Sequence, residues 1–211
     1  MGFRDYNTMT ILRRPLGLVE PAASESPVDG TRLARIGRNI YWSLFPMGGL
    51  PSEWRSTAVE PSRIPESLWP QPSEHWAVSA RSPELLEYMS TCPLFDKSKL
   101  FLLSQGGKPR AYLYLVQVRR QVRLADYGPA GLDASTSRIL AIAARRIARS
   151  HFRGATDLMA ATSEEYVRAG FESAGLRLAQ QNPIRVLKGP DVLPDVRQFR
   201  LTFLDWDRVH L

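Results

Sequence analysis

The densest run of hydrophobic positions lies in the middle of the chain, between residues 100 and 127. Apolar residues over 100–103 precede the pair Gly106 and Gly107, and β-forming residues then fill 111–116 and 122–127. Paired glycines between apolar runs favour a tight turn, and aromatic and β-branched residues favour strands. The pattern predicts an antiparallel meander of three strands whose central strand is almost wholly apolar.

A helix with one apolar face follows the meander. Ile139, Ala143 and Ile147 recur at four-residue spacing, which places them on one side of an α-helix that extends to Ser150. A glycine-rich loop over 128–134 precedes it. Hydroxyl side chains accept hydrogen bonds from the first free N–H groups of a helix, and three residues are candidates for this cap: Ser135, Thr136 and Ser137.

The last part of the chain alternates strand and helix. Residues 155–160 form a predicted strand, and Thr162 and Glu165 have the spacing of a capping box, which satisfies two backbone N–H groups reciprocally. The helix that it opens closes at Gly175. Two final strands are predicted over 176–187 and 197–204, with a polar loop between them.

The first part of the chain has a weaker pattern. One short strand over 9–16 has no hairpin partner, and a linker over 21–30 leads to an amphipathic helix over 31–45. Recurrent prolines over 48–72 indicate irregular chain, after which Ser82 caps a helix with proline in its first turn. We therefore expect two parts. Residues 1–53 form an N-terminal strand, linker and helix, for which the remnant of a preceding domain is one interpretation, and residues 54–211 form the main domain.

Composition and charge are those of a globular protein with a basic surface. The chain has 211 residues, 44% hydrophobic and 23% charged, with a formal net charge of +7, which excludes wholesale disorder. Arg145, Arg146 and Arg149 are compatible with nucleic-acid contacts, but cations near a helix C-terminus also suit its dipole. Tyr112 and Tyr114, the candidate stacking residues, lie in the apolar strand, so we do not expect a nucleic-acid partner.

The numbers and spacing of cysteine and histidine, and the hydropathy of the chain, argue against a disulfide-bonded, metal-binding or membrane protein. The single cysteine, Cys92, excludes an internal disulfide and a cysteine-based zinc site. His75, His151 and His210 lack metal-ligand spacing, so no metal is expected. The sequence has no apolar stretch of about 18 residues and no apolar signal region at its start, so we expect no membrane association and a cytoplasmic protein.

The order of the predicted elements resembles the GNAT (GCN5-related) N-acetyltransferase fold, with the match extending over 54–207. The resemblance implies an α/β (α+β) fold, with a mixed, mostly antiparallel sheet flanked by helices. More specifically, the chain resembles the C-terminal half of bacterial GNAT-like proteins with two tandem halves. In those proteins the first domain ends in a strand similar to Gly2-Phe3-Arg4 and residues 11–16. A homodimer, or a missing N-terminal GNAT half, is then an expected partner.

The family binds coenzyme A at a glycine-rich loop after the fourth strand, where backbone N–H groups and a helix N-terminus hold the pyrophosphate. The resemblance places acetyl-CoA, or another acyl-CoA, at the corresponding loop of this chain. Pro129 lacks an N–H and Asp133 would repel phosphate, so a purely structural turn is the alternative. The residues implied in coenzyme binding are Tyr127, Gly128, Gly131, Ser135, Thr136 and Ser137.

The family also uses a tyrosine, four residues before a glycine, as general acid to the leaving thiolate. Two registers compete in this chain. Tyr166 has that spacing to Gly170, whereas Phe171 has it to Gly175, the glycine that directly precedes the next predicted strand. In the second register the acid position holds Phe171, which has no proton to donate, and Tyr166 is an ordinary packed tyrosine.

Asp126 lies at the end of the third meander strand and is the second catalytic candidate. Its carboxylate suits a substrate amine, and the alternative is a turn former. The resemblance implies an acyl-CoA-dependent N-acyltransferase, in which a small-molecule or peptide amine attacks the thioester directly in a ternary complex. A backbone N–H near Asp126 would polarise the carbonyl. The alternative is a catalytically inactive GNAT-like domain that acts as a partner or as a substrate-binding module.

Overall fold

The computed structural model describes residues 3–17, 34, 37, 39–42, 48–73, 76–187 and 198–205. The predicted linker over 21–30 lies outside these residues, as do His75, His210 and the end of the GNAT match at 206–207. Of the helix predicted over 31–45, the described residues 34, 37 and 39–42 are helical.

Among the described residues, one seven-stranded sheet organises the chain, with the strand order β2-β4-β5-β6-β7-β1-β8. All neighbouring strands are antiparallel except β6 and β7, which are parallel. The mixed, mostly antiparallel sheet and the predicted meander are therefore confirmed. The strands are β1 (Phe3–Pro15), β2 (Trp54–Ala58), β4 (Lys97–Gln105), β5 (Lys108–Val118), β6 (Gln121–Gly128), β7 (Asp157–Thr162) and β8 (Arg177–Leu187).

Besides the helical residues 34, 37 and 39–42, a second, two-stranded parallel sheet and three further helices complete the described fold. The small sheet pairs β3 (Trp76–Val78) with β9 (Gln198–Arg200). Single turns of 3-10 helix occur at Pro61–Arg63, Glu66–Leu68 and Phe203–Asp205, and the helices are α1 (Pro83–Ser90), α2 (Ala134–His151) and α3 (Glu165–Ser173).

The central strand β5 is buried on both faces, which explains its continuous apolar sequence. Leu113 and Leu115 contribute to the core cluster that includes the apolar face of α2. Tyr112 and Tyr114 alternate with them and belong to the cluster on the other face, with Leu86 of α1. The two tyrosines are core residues, as the sequence pattern indicated.

The N-terminal strand β1 is an interior strand of the large sheet. One edge pairs with β7 and the other with β8. The predicted strand over 9–16, which has no hairpin partner nearby in the sequence, is therefore paired along both edges by strands from the second half of the chain. The division at residue 53 and the homodimer remain predictions.

Two helix caps differ from the sequence-based expectation. The N-cap of α2 is Asp133, whose carboxylate accepts the Thr136 N–H at 2.7 Å and the Thr136 hydroxyl at 2.9 Å. The predicted cap by Ser135, Thr136 or Ser137 is wrong. The capping box is also wrong: Thr162 ends β7, and Glu164, the N-cap of α3, makes no side-chain capping bond.

The final predicted strand is much shorter than 197–204. β9 ends at Arg200, and the chain then turns because the Asp205 carboxylate accepts the Thr202 N–H at 2.9 Å. A 3-10 turn over Phe203–Asp205 follows. This turn directs the C-terminal segment, defined here as residues 198–205, across the face of the large sheet that carries Tyr112.

Candidate active site at the divergence of two strands

The parallel strands β6 and β7 separate partway along their length. Their ladder ends at the pair Leu124 and Ala160. Beyond it, β6 pairs only with β5, and β7 pairs only with β1. A register shift between β5 and β6 occurs at the same level, between Leu124 and Asp126. Interrupted ladders of this kind are frequent beside active sites, and we take the divergence as the candidate site.

One wall of the divergence carries the buried carboxylate of Asp126. Its Oδ2 accepts hydrogen bonds from the Tyr112 hydroxyl at 2.7 Å and from Arg81 Nε at 2.9 Å. Its Oδ1 accepts from the Thr202 hydroxyl at 3.0 Å and from Arg81 Nη2 at 3.4 Å. A carboxylate can accept about four hydrogen bonds, so these donors occupy nearly all of its acceptor sites. Asp126 lies within β6 and forms no turn, so the turn-former alternative is wrong.

Arg81 connects this carboxylate to the C-terminal segment. Its Nη2 lies 2.7 Å from each carboxylate oxygen of Asp205. Burial lowers the pKa of Arg81, but the carboxylates of Asp126 and Asp205 outweigh burial and raise that pKa above its ordinary value. Burial, and then the Asp126 charge, raise the pKa of Tyr112 well above its ordinary value. Arg81 is therefore a permanent cation between two anions, and Tyr112 is a neutral donor.

The other wall carries a second buried ion pair. Arg200 Nε donates to Glu164 Oε2 at 3.0 Å, and Arg200 Nη2 donates to the carbonyl oxygen of Tyr127. The side chains of Arg200 and Glu164 are 1% and 5% exposed. Tyr127 belongs to β6 and Glu164 follows β7. Arg200 therefore bridges the two strands where their own ladder has ended.

The glycine-rich loop is closed by its surroundings. A Cβ on Gly128 would lie 2.2 Å from the Leu68 carbonyl oxygen and 2.3 Å from Tyr112 Cε1, so only glycine fits there. Gly131 has a φ of +71°, and its N–H donates to Glu164 Oε1 at 2.7 Å. The Tyr127 side chain is buried, and its hydroxyl donates to Thr162 Oγ1 at 2.7 Å.

Two of the residues that were predicted to bind coenzyme A therefore donate their backbone N–H groups to protein carboxylates, whereas the buried Ser137 hydroxyl has no hydrogen-bond partner among the described residues. The Thr136 N–H donates to Asp133, and this bond is the main cause that lowers the pKa of the Asp133 carboxyl. The Gly131 N–H donates to Glu164. Ser135 is exposed and Ser137 is buried. The donor set as it stands does not fit a pyrophosphate, because two carboxylates occupy the N–H groups that would bind it.

The structure separates the two tyrosine registers. Tyr166 lies in the first turn of α3 with 75% of its surface exposed. Phe171 is fully buried and packs edge-on against the Tyr127 ring, with 5.9 Å between ring centroids. Gly175, at a φ of +89°, ends the helix just before β8. The glycine at the helix end favours the second register, with Phe171 in the acid position.

Several residues of the site were not expected from the sequence. The partners of Asp126 are Tyr112, Arg81 and Thr202, of which the last two are separated from it by 45 and 76 positions. Glu164 lies between the two residues of the predicted capping box and was given no role of its own, and Arg200 was predicted only as part of a strand. In the sequence these residues differ from others only in being charged or polar beside apolar runs, and this pattern does not show which side chains pair with one another.

Two kinds of feature are absent from the described part of the chain. Its helices include none that is long and apolar enough to cross a membrane. Its histidine, cysteine and acidic residues form no group of three that could hold a metal ion.

The comparisons with known proteins concern the fold. No family model matches the chain, and no curated protein matches it. Among solved structures, it is similar to a GCN5-related N-acetyltransferase from Anabaena variabilis, with a TM-score of 0.51 and 10% sequence identity over 86% of this chain. The chain spans 40% of the length of that protein. At this identity the likeness shows the fold alone, and the chain has a GNAT-like fold.

Proposed function

We propose that the chain is an acyl-CoA-dependent N-acyltransferase, in which an amine of a small molecule or peptide attacks the acyl thioester directly. The observation that carries the proposal is the separation of β6 and β7 beside the glycine-rich loop, within a GNAT-like sheet. The chain would supply mainly proximity and orientation. Asp126, bound on all sides by the protein, would act as a positioning residue that fixes β6.

Two carboxylates lie at the start of α2 and the loop before it. The carboxylate of Asp133 caps the helix, and that of Glu164 accepts the Gly131 N–H. Both would oppose a pyrophosphate, and we assign no catalytic step to that contact. Tyr166 is the candidate proton donor in the first register only; in the second register, which the position of Gly175 favours, the acid position holds Phe171 and no tyrosine donates a proton.

The test is a calorimetric titration with acetyl-CoA of three proteins that differ only in charge at this helix start. Asp133→Asn removes the negative charge and keeps a residue that caps helices as well as aspartate does. Ser135→Glu adds a negative charge within the first turn of α2. We expect saturable binding by the wild type, several-fold tighter binding by Asp133→Asn, and weaker binding by Ser135→Glu.

Each of the three proteins that binds acetyl-CoA would then be incubated with acetyl-CoA and a set of amines, and release of the free coenzyme A thiol would be measured. Absence of binding at millimolar acetyl-CoA by both the wild type and Asp133→Asn would contradict the acyltransferase proposal. The alternative function, an inactive GNAT-like domain that packs against a partner or captures a substrate, would then take its place.

A further inference from the structure

A cavity of about 450 Å³ lies beside the second half of α2, away from the divergence. Its apolar part is formed by Leu50 and Ile142, and its polar part by Arg145, Arg146, Arg149 and Ser150. Arg145 is eleven residues beyond Ala134, which at 1.5 Å per residue places it about 16 Å along the helix from the loop end of α2. The cavity is therefore separate from the candidate active site.

The positive charge in this cavity has no acidic partner among the described residues. The ion pairs formed there do not include Arg145, Arg146 or Arg149. The Nε atom of Arg145 is buried and lacks a hydrogen-bond acceptor. Burial, and then the nearby charge of Arg149, lower the pKa of Arg145.

A further buried cation adds to this positive field. Arg14 of β1 is 2% exposed and donates to the carbonyl oxygens of Gly175 and Trp42. Burial, and then the charges of Arg145 and Arg177, lower the pKa of Arg14 to about 10. Like charges this close to one another destabilise the fold, and an anion in the cavity would relieve their repulsion.

The helix dipole does not explain the arrangement. Its negative end acts within the last turn of a helix, and α2 ends at His151. The dipole therefore stabilises Arg149, but it leaves the half-buried Arg145 guanidinium without an anion among the described residues. Arg146 and Arg149 are exposed, but a purely solvated helix face would not bury the Nε atom of Arg145.

We propose that this cavity binds a small phosphate-bearing ligand, with its phosphate groups on Arg145, Arg146 and Arg149 and its ring or apolar part against Leu50 and Ile142. Guanidinium groups bind phosphate oxygens through paired hydrogen bonds. The volume lies in the range of small-molecule pockets, which combine apolar walls with a few charged groups. It matches a nucleotide better than an extended polyanion.

The test uses the full chain, with inorganic pyrophosphate and ATP as probes in calorimetry. The site variant carries Arg145→Gln and Arg149→Gln together. The control variant carries Arg110→Gln and Arg120→Gln, two exposed arginines outside the cavity, and has the same net charge. We expect the site variant to bind ATP at least tenfold more weakly than the wild type, and the control to bind it within about threefold of the wild type.

The thermal unfolding midpoint without ligand is a second measurement. If Arg145 only stabilised the fold, its replacement would lower this midpoint. Arg145→Gln removes a half-buried cation that lacks an anion among the described residues, so we expect the unfolding midpoint to rise. A fall in the midpoint, no saturable binding of either probe by the wild type, or equal weakening in the control would overturn the proposal. Binding of RNA without binding of ATP would also overturn it.

The same variants separate this site from the proposed acyltransferase site. If the variant with Arg145→Gln and Arg149→Gln still binds acetyl-CoA, then acetyl-CoA binds outside the cavity. The ATP titration then remains the test of the cavity. If this variant does not bind acetyl-CoA, and Asp133→Asn binds it as the wild type does, then acetyl-CoA binds in the cavity. That result would contradict the start of α2 as the coenzyme site.

Discussion

Asp126 is a charged residue whose surroundings are made entirely by distant parts of the chain. Arg81 comes from the segment before α1, Tyr112 from β5, and Thr202 from the C-terminal segment. A buried carboxylate is tolerated only when donors replace the water that it loses. The four hydrogen bonds to Asp126 therefore stabilise the junction of these elements and leave little capacity for a substrate.

Replacement of Asp126 by asparagine tests this role. Asp126→Asn keeps the shape but leaves the buried Arg81 cation with one carboxylate in place of two, so we expect a loss of about 2–3 kcal/mol in the free energy of unfolding. Urea unfolding followed by circular dichroism would measure the loss.

The matched control is Asp157→Asn, in the ion pair with Arg13. The Arg13 side chain is 31% exposed, and solvent weakens such pairs, so we expect a loss of about 1 kcal/mol or less. Equal losses in the two variants would contradict the special role of the Asp126 network.

Single residues of the site were predictable from the sequence only where the signal is local. Asp126 and the glycine-rich loop stood out by their position after an apolar strand. The ion pair between Arg200 and Glu164 spans 36 positions and involves two ordinary charged residues, so no spacing rule identifies it. The cap of α2 was misassigned because Asp133 and the hydroxyl residues after it satisfy the same capping preference, and only the backbone conformation decides between them.

At the scale of elements, the contact between α2 and α3 depends on a glycine. A Cβ on Gly170 would lie 2.5 Å from the Ala134 carbonyl oxygen and 2.5 Å from Ser137 Cβ. Both neighbours belong to the first turn of α2, so the two helices approach at the loop end of α2. Gly170 therefore helps fix the position of the helix start that borders the candidate site.

Gly170→Ala tests this approach. Alanine favours an isolated helix over glycine by about 1 kcal/mol, but the added methyl group must displace backbone atoms of α2, which costs about 1–3 kcal/mol or more. We expect a net loss of about 1–2 kcal/mol in the free energy of unfolding, measured in urea. In the control Gly17→Ala, where nothing lies within 4 Å of the added carbon, we expect a change within about 0.5 kcal/mol. Greater stability of Gly170→Ala would show that the helices can separate.

Elements with strong periodicity were predicted well, and those held by distant contacts were not. The alternation of β5 between two buried faces, and the apolar face of α2, follow from residue spacing alone. The position of β1 between β7 and β8 has no local signal, because its partners come more than 140 positions later. The final strand was predicted too long because Asp205 turns the chain after Arg200.

At the scale of the whole molecule, the C-terminal segment joins both walls of the divergence and the first strand. Asn7 of β1 donates to the Phe199 carbonyl oxygen at 2.8 Å and accepts the Phe199 N–H at 3.0 Å. β9 pairs with β3, and Arg200 bridges β6 to the start of α3. A segment of eight residues thus holds together elements from the beginning, middle and end of the described chain.

Arg200→Met tests whether the buried ion pair holds this segment. Methionine fills much of the same space, but it leaves the Glu164 carboxylate buried without its cation, so we expect a loss of about 3–5 kcal/mol in the free energy of unfolding. Hydrogen exchange at residues 199–204 should accelerate, because the backbone bonds that hold the segment would open with it. Adding Glu164→Gln removes the unpaired charge and should recover part of the loss. The double variant should therefore lose less free energy of unfolding than the two single variants lose together. If both single losses are small and simply additive, and exchange in the segment is unchanged, then the backbone contacts with Asn7 and β3 hold the segment without the ion pair.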